Sequence, residues 1–244
     1  MTPDILYQQL VADLEATGER SPYTADANEP DPRYKAYGVR MPERKAIFKA
    51  HKPALKKLSA AEQIDLAERL IQSGFGEQQT MGLYILQPLA KTFTPDTFER
   101  IDGWMRTLVG WSKVDEFGGT FLRDILFLHP EPLLEWVRRW NQDADMWLRR
   151  LSVVIFTRRV AKSGAFTDVA LELCHNLIYS EKGAAEDLVQ KGIGWALKDL
   201  MKADQTRILA YVQQLRVDKI SSTITLYAIR DLNKDERKAF LNRN

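Results

Sequence analysis

Trp111 and Asp115 are the residues whose types and spacing best suit chemistry. Four apart on a helix, they share one face, an aromatic plane beside a carboxylate. Two later stretches, Trp147-Leu148-Arg149-Arg150 and Lys191-Gly192-Ile193-Gly194-Trp195, offer aromatic and basic residues at comparable places. An aromatic face attracts a cation, and a fixed carboxylate stabilises positive charge as it develops or places a water beside it. Flanking bases hold a polyanion by its phosphates. The set suits a polyanion that carries a cationic lesion. Other roles stay open for the same residues. Ser112-x-x-Asp115 has capping-box form, Trp111 and Trp195 have the size of core residues, and Arg150 is placed to ion-pair with Asp115 or Glu116.

Helices must position these side chains. Apolar residues recur near the helical period over residues 3–18, with Gly18 as a stop, and Pro42 suits the first turn of a helix over 42–51. Ser59-Ala60-Ala61-Glu62 has capping-box form before a helix to residue 73. Further helices are predicted over 77–90, 94–108, 112–128, 130–140, 145–161, 166–179, 184–201, 204–215, 219–232 and 234–241. Residues 19–33, with three prolines, form a loop or linker. The β-branched Val-Val-Ile-Phe run at 153–156 lies inside a helical pattern, so no strand is expected.

The helices alternate in pairs, and aligning their leading members superposes Asp115, Arg150 and Lys191. The separations of 35 and 41 residues match the period of two-helix HEAT or armadillo-like units. The expected fold is all-α: antiparallel helix pairs stacked as an α-solenoid, with a concave basic groove carrying these three residues. Residues 1–32 form an acidic helix and loop, and 33–244 the repeat domain, within a single domain overall.

Composition narrows the function classes. One cysteine, Cys174, excludes an internal disulfide framework, and three histidines offer no zinc site, so no metal or cofactor is expected. There is no basic leader at the amino terminus and no apolar run long enough to span a bilayer, which makes the cytoplasm the expected compartment and a membrane partner unexpected. Charge is unevenly spread. Residues 1–32 hold seven acids against Arg20, a net of −6, which leaves +8 on the remainder. A basic body suits a phosphate-bearing partner.

The segments Gly38-Val39-x-x-Pro42-Glu43-Arg44, Trp111-Ser112-x-Val114-Asp115, Thr120-Phe121-Leu122-x-Asp124-Ile125 with His129-Pro130-Glu131, Trp147-Leu148-x-Arg150 and Lys191-x-Ile193-Gly194-Trp195 occur in this order. Together they resemble the AlkD-type DNA glycosylases of the DNA alkylation-repair family, all-α HEAT-like proteins. The resemblance implies hydrolysis of the N-glycosidic bond of cationic N3- or N7-alkylated purines in duplex DNA, without a base pocket, cofactor or metal. It makes Asp115 the catalytic carboxylate, with Trp111 and Trp195 packed against the lesion's deoxyribose and backbone. Arg150 would contact DNA beside the carboxylate, and Lys191, Arg158, Tyr34, Arg40 and Arg44 complete the expected DNA-binding set. Gly110 stands where some relatives have a second tryptophan, Leu188 stands where a relative has phenylalanine, and either Tyr34 or Tyr37 fits the family's groove tyrosine, Tyr34 being preferred. A lyase would instead use an amine, with Lys113 or Lys191 as the suspects. The alternative function is a non-catalytic HEAT-like module that binds DNA structures or protein partners. A monomer is expected, since the groove must stay free for a duplex.

Overall fold

The computed structural model describes residues 2–20, 31–181 and 186–242. The loop expected over 19–33, with its acids Asp26 and Glu29, begins later than expected, since residues 19 and 20 are helical, and 21–30 lie outside the described residues, as does the expected helix start at Ala184. Among the described residues all regular structure is helical apart from an isolated bridge between Lys35 and Phe75, so the fold class is all-α. No described helix is long and apolar enough to cross a membrane. The chain forms two compact units, residues 1–128 and 129–244.

In the first unit, α1 (Pro3–Arg20) buries Leu6, Leu10 and Leu14, spaced four apart on one stripe. Full burial of each leucine is worth about 1.5–3 kcal/mol. Gly18 does not stop this helix. It lies inside α1, where an added Cβ would sit 2.4 Å from the Tyr37 carbonyl oxygen. Its role is close approach between segments. Helix α2 (Met41–Leu55) outruns its expected end at residue 51. In α3 (Ala60–Gln72) the Ser59 hydroxyl accepts from Glu62 N–H at 3.3 Å, while Ser59 N–H donates to the Glu62 carboxylate at 2.8 Å, the expected capping box. Three residues then connect α3 to α4 (Gly76–Leu86), against which it packs.

The α pattern of α4 gives way to a 3₁₀ turn, Gln87–Thr92, because Pro88 offers no N–H and its ring crowds the preceding turn. After α5 (Pro95–Met105) comes α6 (Trp111–Phe117), which widens into a single π turn, Gly118–Leu122, before α7 (Arg123–Leu128). The expected helix over 112–128 is thus present as one helical run, widened at a glycine pair that permits the π turn. Beneath it, Phe121 packs edge-on against Phe117 and Phe93, with ring centroids 6.4 and 5.8 Å apart, and Trp104 is fully buried beside them. That aromatic bed fixes α6 from below.

The second unit contains α8 (Pro130–Asn141), α9 (Met146–Val154), α10 (Arg158–Ser163), α11 (Thr167–Ile178), α12 (Asp187–Val217), α13 (Ser222–Ala228) and α14 (Lys234–Leu241). Asp145 caps α9 by accepting from Trp147 N–H at 2.8 Å. The single helix expected over 145–161 is broken after Val154, and Arg158 restarts it with φ +55°. The two helices expected over 184–201 and 204–215 are two here as well: α12 is a pair of helices that meet at Asp204, whose φ of −147° and ψ of 78° are not helical. Helices α12 and α13 approach closely at Gly194, where a Cβ would lie 2.7 Å from Tyr227 Cβ.

Candidate functional site

The first unit carries Asp115 on α6. Helix α6 begins at Gly110, whose φ of +89° belongs to the glycine-favoured region, so a tryptophan there would be strained on this backbone. With Gly110 as N-cap, Asp115 falls beyond the first turn. The capping-box role for Ser112 and Asp115 is therefore excluded, and Asp115 is half-buried in the body of the helix. Trp111 is 40% exposed, so it is not a core residue. The π turn starts three residues past Asp115, the kind of helix irregularity often found at functional sites.

Lys113 projects from the same helix in the opposite sense. It is buried, its Nζ 2.6 Å from Thr80 Oγ1 and 2.5 Å from the Glu116 carboxylate, which also accepts from Thr80 at 3.0 Å. Burial lowers the ammonium pKa, with Glu116 opposing and Arg44 reinforcing the shift. An amine so enclosed and paired is a poor nucleophile toward a macromolecular substrate. Its role is to tie α6 to α4.

The loop before α2 is held by Glu77. This fully buried carboxylate accepts the backbone N–H groups of Tyr37 at 3.0 Å, Gly38 at 2.9 Å and Val39 at 3.0 Å. Arg44 donates to the Val39 carbonyl at 2.6 Å and lies 3.7 Å from Glu77, so this expected DNA ligand is turned onto the loop. Arg40 at the N-cap of α2 is exposed, its N–H donating to Glu43 at 2.9 Å. Of the two tyrosines, Tyr37 stacks on Phe75 with centroids 4.5 Å apart and accepts from Gln78 at 2.7 Å, and burial raises its pKa. Tyr34 lies beside α6 instead. Its hydroxyl and the Lys113 side chain meet over Gly76, 3.1 and 3.5 Å from where a Cβ would stand. The Tyr34 hydroxyl thus lies near Gly76 on the side where the buried Lys113 stem runs.

The second unit places Arg150, Trp195, Arg158 and Lys191 differently from one another. Arg150 is buried and donates to the Leu188 carbonyl, its Cγ 3.4 Å from a Cβ added at Gly192. Trp147 is core. Lys191 is exposed and pairs with Asp187 at 2.6 Å on its own helix. Trp195 is half-buried, with the guanidinium of exposed Arg158 over its ring, 5.2 Å from the centroid. A non-glycine residue held at positive φ costs about 1–3 kcal/mol and persists only where its surroundings enforce it. Asp199 enforces it here.

Neither Asp199 nor Glu77 stands in a stretch that the sequence marks for chemistry. Asp199 accepts Arg158 N–H at 2.7 Å and Trp195 Nε1–H at 2.9 Å, and Lys202 sits 2.9 Å away. Burial acts to raise its pKa, but hydrogen bonds from Lys202 and Arg158 N–H outweigh burial and hold the carboxyl below its ordinary value. One signal was there: Asp199 follows Trp195 by four residues, the spacing of Trp111 and Asp115. Nothing in the sequence points to the fully buried Glu77, 38 to 40 residues from the amides it holds. Among the described residues, no cluster of three or more His, Cys, Asp or Glu is arranged to hold a metal ion.

A family model described as DNA alkylation repair enzyme matches residues 12–232. Among curated proteins none matches the sequence. A solved structure described as a predicted DNA alkylation repair enzyme from Enterococcus faecalis shares the fold, with a TM-score of 0.70 over 92% of this chain and 95% of that one at 17% identity.

Proposed function

The chain belongs to the DNA alkylation repair enzyme family, and on that premise we propose that it is a monofunctional DNA glycosylase for cationic N3- and N7-alkylated purines in duplex DNA. The observation that supports this most is the state of α6. Trp111 is exposed rather than core, and Asp115, four residues on, lies past the capping turn on a helix fixed from below. A carboxylate and an aromatic plane on one helix face suit a positively charged partner, the plane by its quadrupole and the carboxylate by its charge.

In the proposed reaction the C1′–N bond breaks heterolytically, and its electron pair leaves with the purine, which departs neutral because it began as a cation. The deoxyribose becomes oxocarbenium-like, and Asp115 stabilises that charge. A water then adds at C1′ and its proton passes to Asp115, leaving an abasic site. Such a leaving group needs no acid, so a few kcal/mol of charge stabilisation suffices, each 1.36 kcal/mol being worth tenfold in rate. The paired and enclosed Lys113 supports water rather than an amine as nucleophile. In the DNA-binding role we place Arg158, Trp195, Lys191 and Arg150 of the second unit with Tyr34 and Arg40 of the first. Arg44 shapes the turn that presents Arg40.

The test is release of 7-methylguanine and 3-methyladenine from methylated duplex DNA by wild type and Asp115→Asn. Release that collapses in the variant supports the reading. Absence of release from folded wild type that binds DNA would instead identify a non-catalytic binding module.

A further inference from the structure

Asp199 is a carboxylate with two separate sets of partners. One oxygen, Oδ2, accepts Trp195 Nε1–H at 2.9 Å and Arg158 N–H at 2.7 Å. The other, Oδ1, faces Lys202 at 2.9 Å and Lys198 at 3.3 Å, and Lys198 is shared with Asp231 at 2.9 Å. Only 1% of Asp199 is exposed, so all four donors converge on a group that DNA cannot touch.

Of the two residues that Asp199 holds, Arg158 is exposed and Trp195 half-buried. The Arg158 guanidinium stands over the Trp195 ring, and the arginine backbone is kept left-handed, at φ +55°, where glycine would be relaxed. A strained position that carries a long cationic side chain rather than glycine implies that the side chain is needed there. With Nε1 tied to Asp199 and the ring covered by Arg158, the indole cannot turn freely. The result is a fixed aromatic plane with a guanidinium on it. That pair matches a nucleic-acid backbone, the guanidinium taking a phosphate by charge-assisted hydrogen bonds and the indole packing on the adjoining sugar.

We propose that Asp199 is a positioning residue that sets Trp195 and Arg158 as one clamp for the DNA sugar–phosphate backbone. This rests on the reading that the second unit binds DNA. Asp199 acts through the clamp, and its lysine partners keep its charge balanced while the clamp is empty.

The experiment is a double-mutant cycle on the affinity for duplex DNA at fixed salt, with wild-type protein, Asp199→Ala, Arg158→Ala and the double variant. Each single variant is expected to weaken binding by about tenfold, and the double variant by no more than the stronger single one, because both remove the same device. Asp199→Asn, which keeps an oxygen toward Trp195 and Arg158 N–H, should stay within about threefold of wild type. Additive losses would mark Asp199 as a stabilising ion-pair residue only and overturn the proposal, as would unchanged binding in Arg158→Ala. Should Asp199→Ala fail to fold, Trp195→Phe cuts the same link from the ring side. It is expected to lose at least about threefold, and no loss overturns the clamp. Base release by the same wild-type sample is scored separately, so binding without release refutes the glycosylase reading and leaves the clamp standing.

Discussion

Replacing Glu77 with glutamine should loosen the loop that leads into α2, and the size of the effect can be worked out bond by bond. Glu77 Oε1 accepts from Gly38 and Val39, and Oε2 accepts from Tyr37. A glutamine oxygen in the Oε1 place keeps two of these bonds but makes them neutral, while its NH2 group confronts Tyr37 N–H donor to donor. Hydrogen bonds to charged groups are worth about 1.5–3 kcal/mol and neutral ones about 1. Losing one bond and weakening two, with Arg44 left lacking its buried anion, gives roughly 2–4 kcal/mol of local stability. Hydrogen–deuterium exchange followed at the Tyr37, Gly38 and Val39 amides reads this directly. At 1.4 kcal/mol per tenfold, protection should fall by roughly 30- to 1,000-fold. A change below threefold at all three amides would refute the assignment of Glu77 as the anchor of this loop. Since Tyr34 and Arg40 flank the loop, duplex affinity should weaken in the same variant.

Further outcomes follow from the same geometry. Gly194→Ala forces a Cβ to 2.7 Å from Tyr227 Cβ, and chemical denaturation should show a loss of about 1–3 kcal/mol. Asp199 has a folded pKa below its unfolded value, so its contribution to stability is complete above the ordinary aspartate value of about 3.9 and disappears as pH falls through the lower folded value. Acid unfolding of Asp199→Asn should lack that component; identical acid profiles would contradict it. Cys174 is buried, which pushes its thiol up to about 12, so a thiol reagent should label it only at the rate of unfolding. Borohydride should trap no protein–DNA adduct, since Lys113 is held by Thr80 and Glu116 and Lys191 is paired with Asp187; a trapped adduct would make an amine the nucleophile.

The helical architecture was legible because its signals are local. The Ser59–Glu62 capping box and the leucine stripe of α1 are written in neighbouring residues, and both appear where expected. Breaks without proline or glycine were not legible. The apolar run at 153–156 continues a helical pattern, and the turn there is held by Thr157, whose hydroxyl donates to the Val154 carbonyl, and by the bond from Arg158 N–H to Asp199, 41 residues away. Gly18 reads as a helix stop in sequence and serves as a contact with Tyr37, since composition alone cannot separate these two uses of a missing side chain. The spacing of Trp111 and Asp115 puts both on one helix, and the structure has both on α6. The same spacing at Trp195 and Asp199 went unread because Asp199 stands in no resembling segment, and its importance lies in a hydrogen bond that only the fold reveals.

The central claim is that Asp115 carries the chemistry, and single-turnover base release measures it most directly. A duplex holding one 7-methylguanine is saturated with wild-type or Asp115→Asn protein, and the free base is followed over time. A catalytic Asp115 predicts release by wild type and a fall of about 100- to 1,000-fold in the variant at equal DNA occupancy, as expected when a group stabilising transition-state charge is removed. Equal rates in the two proteins would contradict it.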